Sequence, residues 1–268
     1  MISQLYPNEF IIDDSNYSRY APNADVIIDG KQYSRGLELP EQKPRSAQYT
    51  KNWDRPVIPR SEWKDRILER EKKGQILSKR LRAKGIPTPN QNGTNFCWTY
   101  GVVSNIIANR CWRNLPYVEF SRESVAAPIK GYRNNGGWGN EALEYIAQNG
   151  IMPQSLWPRY HFSSSQYNTT ANLAEAAKFK VLEFLILQDR NFAQGITALL
   201  DDQAIAVGYN WWSHEVCAVD PVVIGSNAFG YRIWNSWGDS YGDKGFAILE
   251  ESKAIFDDGV IAVVTGDN

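Results

Sequence analysis

The feature that most constrains the fold is the order of two hydrophobic patterns along the last two thirds of the chain. Helical spacing comes first: apolar residues share one face after Cys97, and a second helix is predicted from Asn140 to a terminating Gly150. Beyond residue 179 the pattern changes to short apolar strands, predicted over 181–187, 204–209, 215–224, 231–236, 246–250 and 260–265, with one helix over 192–200. Helices followed by strands indicate an α+β fold in which a helical lobe packs against a sheet lobe.

The chain before residue 91 has a different composition. Residues 1–56 are rich in Asn, Asp, Pro, Ser and Tyr without a sustained period, which predicts an extended arm with short strands that cannot form a core alone. Residues 57–90 form a charged lead-in, whose apolar spacing over 61–84 predicts a surface helix or helix pair ended by Gly and Pro. The main globular domain is predicted over 91–268.

Composition excludes several classes of function. The 29 Lys and Arg residues against 30 Asp and Glu leave no positive surplus for a phosphate backbone, so we expect no nucleic-acid partner. The apolar runs are far shorter than the ~20 residues that span a bilayer, and the amino terminus lacks the pattern of a signal peptide. Three cysteines offer neither a disulfide framework nor zinc spacing. We therefore expect a cytoplasmic or virion-associated protein with no membrane partner, no disulfides, no metal and no cofactor.

Few residues can act as a base or as a nucleophile. Only two histidines occur, and His161 lies in a polar stretch with no nucleophile nearby, whereas His214 opens an apolar strand that would hold it rigidly. Cys97 follows a turn that contains Gly and Asn and precedes a helical pattern, so its sulfur should lie at the positive end of the helix dipole. That position, with an imidazolium nearby, favours the reactive thiolate.

Two amide side chains complete a candidate site. Gln91, six residues before Cys97, can point its amide at the oxygen of an attacked carbonyl and form an oxyanion hole with the backbone amide of Cys97. Asn235 can accept a hydrogen bond from the ring of His214 and fix its tautomer, while Trp237 shields that bond from water. Each residue alone would be an ordinary core or turn residue. Their joint occurrence predicts a catalytic site.

Four sequence blocks carry a resemblance to a known family. They are QNGTNFCW at 91–98, NNGGWGNEALEYIAQNGI at 134–151, SHEVCAVD at 213–220 and NSWGDSYGDKGF at 235–246. In these blocks, and in the order Gln, Cys, His, Asn, the chain resembles the papain-like (C1) cysteine peptidases, with Trp98 and Trp237 in supporting positions. The resemblance implies a two-lobed fold, with a helical left lobe and an antiparallel, barrel-like right lobe. It also implies thiol-dependent hydrolysis of peptide bonds by Cys97, His214, Asn235 and Gln91.

The resemblance further implies where a peptide or protein substrate would bind. The cleft would be bordered by Asn135, Gly136, Gly137 and Trp138, where glycine backbone can pair with an extended chain. Glu215 stands where the family usually has a small residue, which predicts an acid near the S2 pocket and some tolerance for basic P2 side chains. Asn134 stands where the family commonly has a cysteine, so its usual structural disulfide is absent, and Asn95 and Phe96 enlarge the S1 wall.

Two other readings stay open. The arm does not match the helical propeptide of the family, and ordered termini are usually tied down by something. The chain would then be a structural component, for example of a virion, held in a larger assembly, with a site that is dormant or used only in maturation. The same Cys/His pair could also transfer an acyl group to an amine instead of water.

Overall fold

The computed structural model describes residues 10–265, a mixed sheet with helices on both faces. Residues 1–9, which belong to the predicted arm and to the stretch predicted to lack a signal peptide, lie outside the described residues, as do residues 266–268 of the predicted domain. Within residues 10–265, no helix is both long enough and apolar enough to cross a membrane.

Within the described residues, ten strands build two sheets. Their bounds are β1 Ile11–Ile12, β2 Val26–Ile28, β3 Lys31–Tyr33, β4 Thr50–Asn52, β5 Phe184–Ile186, β6 Ile205–Tyr209, β7 His214–Val223, β8 Phe229–Trp234, β9 Phe246–Glu250 and β10 Asp258–Ala262. The main sheet has the order β1-β9-β8-β7-β6-β10-β5-β4, and β2 pairs with β3 as a separate hairpin. All six strands predicted beyond residue 179 are present, most of them one to three residues shorter or shifted.

Eight α-helices of the described part of the chain surround the main sheet. Their bounds are α1 Arg60–Lys72, α2 Leu77–Ala83, α3 Cys97–Trp112, α4 Glu123–Ile129, α5 Gly139–Asn149, α6 Thr170–Ala176, α7 Phe192–Leu200 and α8 Glu251–Ala254. The helix pair, the helix after Cys97 and the helix over 192–200 are confirmed. Asn140 is not the N-cap of α5, because the helix begins at Gly139 and the carboxylate of Glu141 accepts the amide of Trp138 at 3.0 Å.

The two sheet edges are covered by the arm. β1 pairs with β9 and β4 pairs with β5, both in parallel, whereas the six strands between them pair antiparallel. Tyr33 and Trp53 bury their rings in the core on the sheet face opposite α3. Because both edges and this core include arm residues, the arm is tied down by its own chain.

Helix α3 is fixed against the sheet by polar side chains as well as by packing. Asn105 donates to the carbonyl of Ala204 at 2.6 Å and accepts the amide of Ala262 at 2.7 Å. Asn109 accepts the amide of Ala204 at 2.8 Å. Buried polar groups that are fully bonded specify one arrangement, so these amides lock the register of α3 against β6 and β10.

A buried carboxylate joins α2 to strand β7. Asp220 follows a register shift in β7 and accepts the first two amides of α2, from Leu77 at 2.6 Å and Ser78 at 3.1 Å. Its other neighbour is Arg232 on β8, with 3.6 Å between nitrogen and oxygen. The carboxylate therefore caps a helix and balances a buried cation at once.

Replacing this carboxylate should destabilise the fold. Asp220→Ala leaves two buried amides without an acceptor and removes a counter-ion, so we expect a loss of about 3 kcal/mol or more in the free energy of unfolding. Denaturant unfolding measures it. Lys178→Ala breaks an exposed pair with Glu175 and should change stability by less than about 0.5 kcal/mol. Equal losses in the two variants would contradict the capping role.

Candidate active site

Cys97, the predicted nucleophile, is the first residue of α3 and is completely buried. The turn before it is closed by Thr94, whose amide and hydroxyl reach the carbonyl of Gln91 at 3.0 and 2.7 Å. Trp98 supports the same turn, since its indole N–H donates to the carbonyl of Asn95 at 3.1 Å. The sulfur thus lies at the amino end of a 16-residue helix, where amides without helical partners gather.

Hydrogen bonds join this turn to the loop at 134–137, which contains Gly136 and Gly137. The amide of Asn95 donates to the side chain of Asn134 at 2.6 Å, and the side chain of Asn95 donates back to the carbonyl of Asn134 at 3.1 Å. All three cysteines are free and buried. The reciprocal pair of asparagines therefore joins the two loops without a disulfide.

His214 is held by Asn235 and by two indole rings. Its Nε2 lies 2.8 Å from Oδ1 of Asn235, and both residues are fully buried. Trp237 stacks on the ring with centroids 4.6 Å apart, and Trp212 contacts it edge-on at 4.9 Å. Nδ1 has no partner among the described residues. With Nε2 committed to an amide oxygen, Nδ1 is the nitrogen free to take a proton.

The sulfur and the ring belong to one site although 117 positions separate them in the chain. Helix α3 packs on β7, and the backbone amide of Glu215, the residue after His214, lies within hydrogen-bonding reach of the Cys97 sulfur. The structure therefore places the predicted nucleophile against the strand residue that follows the predicted base.

Gln91 also lies in the site, but its amide is occupied. Its Oε1 accepts from the hydroxyl of Ser236 at 2.5 Å, and its Nε2 donates to the carbonyls of Thr94 at 2.8 Å and Ser34 at 3.0 Å. The indole of Trp237 also donates to the carbonyl of Ser34, at 3.3 Å. The carbonyl oxygen of Ser34 in the arm thus lies at the position to which Gln91, the predicted oxyanion donor, points.

The arm crosses the site as an extended segment, residues 34–38, which we call the strap. The amides of Gly36 and Leu37 donate to the carbonyl of Ser213 at 3.4 and 3.2 Å. The carbonyl of Gly36 accepts from Gly137 at 2.8 Å, and the amide of Glu38 donates to Gly137 at 2.9 Å, a parallel pairing centred on Leu37. The cleft therefore already holds a peptide, and that peptide comes from the same chain.

The predicted cleft residues divide into two groups. Gly137 pairs with the strap, and Gly136 is packed so closely that an added Cβ would lie 2.4 Å from Glu38 and 2.7 Å from the carbonyl of Gly36. Trp138 is buried beside them. Asn135 is exposed, and its amide donates to Arg133 within the loop at 2.9 Å. Glycine is thus required where the backbone of the strap approaches.

Burial under the strap favours the uncharged forms of Cys97 and His214. It lowers the pKa of His214 to about 3, and the nearby Arg35 guanidinium of the strap also acts to lower it, while the bond to Asn235 raises it. Burial likewise raises the pKa of the Cys97 thiol, although the amides of Glu215, Trp98 and Leu37 favour the thiolate. The predicted thiolate is therefore disfavoured in this state, because loss of water outweighs the helix dipole.

Sequence reasoning missed three residues that shape the cleft. Ser213 supplies the carbonyl that binds the strap, with a backbone φ of +48°. Arg45 of the arm and Asp258 at the start of β10 form a nearly buried ion pair beside Trp138. Only the pairing of β10 with β6 brings Asp258 near the site, and no sequence spacing signals that pairing.

Comparison with known proteins finds relatives by sequence and by structure. No protein-family model matches the chain. Cathepsin K of Mus musculus is 22% identical over 246 residues, 83% of this chain and 69% of its own length. Papaya proteinase 4 of Carica papaya is 26% identical over 193 residues, 64% of this chain and 55% of its own. The chain thus spans between about half and just over two thirds of these relatives.

Solved structures show the same fold. A digestive procathepsin L2 of Tenebrio molitor superposes with a TM-score of 0.62 at 16% identity, covering 87% of this chain and 78% of that one. The bromelain protease of Ananas comosus, solved with the E64 inhibitor, gives 0.57 at 18% identity, covering 69% and 97%. The sequence relatives and the solved structures agree with each other: the chain is similar in sequence and in fold to the papain-like (C1) cysteine peptidases.

Proposed function

We propose that this chain is a papain-like cysteine endopeptidase whose cleft is covered by its own strap. The observation that carries the proposal is the strap itself, because an extended peptide already occupies Gln91 and Gly137, the groups expected to bind substrate backbone. The His214 and Asn235 pair beside the thiol supplies the chemistry.

The geometry supports acyl transfer through the sulfur. Nδ1 of His214 takes the proton of the Cys97 thiol, and the sulfur attacks the carbonyl carbon of the substrate. Charge develops on the carbonyl oxygen, where the amide of Gln91 and the backbone N–H at the start of α3 can stabilise it. The imidazolium then protonates the leaving amine as the C–N bond breaks, and water hydrolyses the thioester. Release of the thioester by an amine stays an alternative last step.

The alternative function, a structural component of a larger assembly, was suggested by the ordered arm. An ordered arm implied an assembly that grips it, but β1, β4 and the strap are bound by the same chain. A partner assembly is therefore not needed to explain the arm. We keep a cytoplasmic or virion-associated location as a proposal that rests on sequence alone.

Gly36→Ala should open the site. An added Cβ there would lie 2.2 Å from the carbonyl oxygen of Asn95, and φ is +152°, so the strap must move. We expect alkylation of Cys97 by iodoacetamide to accelerate by about tenfold or more, which corresponds to ~1.4 kcal/mol. Gly30→Ala is the matched control, since φ there is also positive, at +73°, but its Cβ meets nothing within 4 Å. The same rate in both variants would show that the strap does not cover the thiol.

Activity should depend on the assembled residues. In the Gly36→Ala chain under reducing conditions, Cys97→Ala should abolish cleavage of a peptide library, and His214→Ala should reduce it by ~10³-fold or more. Gln91→Ala should cost about 10² to 10³ in kcat, the range for one oxyanion donor. Cys111→Ala, which changes a buried thiol outside the site, serves as the control. Cleavage that survives Cys97→Ala would overturn the proposal.

Acid should favour release of the strap. Opening returns the His214 ring to water and moves Arg35 away, so the pKa rises from about 3 toward its ordinary 6.5. Between these values the open state binds a proton that the covered state does not, so opening gains up to about tenfold per pH unit as pH falls. Hydrogen exchange of the Leu37 and Glu38 amides, corrected for intrinsic rates, measures this slope. His214→Gln should remove it, and an unchanged slope would assign it to other groups.

A further inference from the structure

Three buried side chains form what we call the acid pocket: Trp138, Glu215 and Asp258. In the sheet, Gly208 on β6 pairs with Glu215 on one side and with Asp258 on the other. Residues directly opposite on neighbouring strands point to the same face, so two carboxyl groups flank a position that has no side chain. The indole N–H of Trp138 donates to Asp258 at 2.9 Å.

The strap places a side chain over the gap. A Cβ on Gly208 would lie 3.1 Å from Cδ2 of Leu37 and 3.5 Å from Cβ of Asp258. Leu37 is the residue centred on the backbone pairing with Gly137. A peptide residue paired with Gly137 in the same place therefore directs its side chain between the two acids, and a longer side chain than leucine would reach the carboxylate of Asp258.

The pocket already holds a guanidinium. Arg45, further along the arm, forms an ion pair with Asp258, and its guanidinium carbon lies 5.4 Å from the centre of the Trp138 ring. Its side chain is only 12% exposed. An aromatic face and a carboxylate together are the partners that arginine binds best.

Glu215, the second acid of the pocket, differs from Asp258 in its surroundings. Glu215 is 2% exposed, and its Oε2 has no partner among the described residues. Burial raises its pKa well above the usual range, and the neighbouring charge of Asp258 raises it further. Burial thus favours the uncharged form of Glu215, whereas Asp258 is the carboxylate that is paired with a cation, Arg45. A buried charge without a partner is strongly unfavourable, so Asp258 will select a cation whenever Arg45 leaves.

We propose that the acid pocket is a specificity site for an arginine or lysine side chain of the substrate, with Asp258 as its specificity-determining residue and Arg45 as the internal occupant. This rests on the proposed function. It assigns the basic selectivity to Asp258, whereas the prediction from the sequence assigned it to Glu215.

Peptides test the preference. The Gly36→Ala/Arg45→Ala variant is given peptide substrates with Arg, Lys, Leu or citrulline at each position before the cleaved bond. Citrulline matches arginine in shape but has no charge. At the position whose side chain enters the acid pocket, we expect kcat/KM for the Arg peptide to exceed that for the citrulline peptide by about tenfold to a hundredfold. Adding Asp258→Asn should bring that ratio near one. Adding Asp189→Asn, which removes an arm-contacting carboxylate outside the pocket, should keep it. A ratio near one before Asp258 is changed overturns the proposal.

A binding measurement separates this proposal from the proposed function. Agmatine, a small guanidinium compound, should raise the Tm of Arg45→Ala, whereas its uncharged analogue N-butylurea should not. The stabilisation should vanish in Arg45→Ala/Asp258→Asn. If no peptide is cleaved but agmatine stabilises through Asp258, the proposed function fails and the cation pocket stands. If agmatine has no effect, the pocket proposal fails whatever the activity.

Discussion

The contact between the first turn of α3 and the first residues of β7 is the constraint on which the rest of the molecule depends. It puts a sulfur at a helix amino terminus against the strand that begins with His214, and neither group could be placed by its own element. Asn105 and Asn109 hold the far part of the same helix to the sheet, so the helix cannot slide along it. The reacting groups are therefore precise because the two lobes share one tightly bonded seam.

The strap affects the site by excluding water as well as by blocking it sterically. By excluding solvent it makes the neutral forms of Cys97 and His214 the stable ones, which is the opposite of what the nucleophile needs. The positive charge of Arg35 on the strap adds to this effect. In the proposed peptidase, covering the cleft and disfavouring the thiolate would thus be one event. The same few residues block the backbone-binding groups and remove the charge that would attack.

Elements with local signals could be predicted from the sequence, and contacts set by distant pairing could not. The strand Phe246–Glu250 and the helix Phe192–Leu200 match their predicted bounds, since each has a clear period. Helix α4 was not predicted, and a proline at its end obscures the pattern. The set Gln91, Cys97, His214 and Asn235 was readable because residue type and order carry the chemistry. The role of Asp258 was not, because it exists only once β10 lies beside β6.

The arm is anchored on both sides of the strap, by β1 before it and by β4 after it. Opening therefore frees a loop whose ends stay bound, and a tethered segment meets its site at an effective concentration of the order of mM. Closure is then intramolecular and independent of how much protein is present. Dilution leaves the balance between covered and open forms unchanged, and a single cut within the loop would turn a persistent inhibitor into a competitor that substrate can displace.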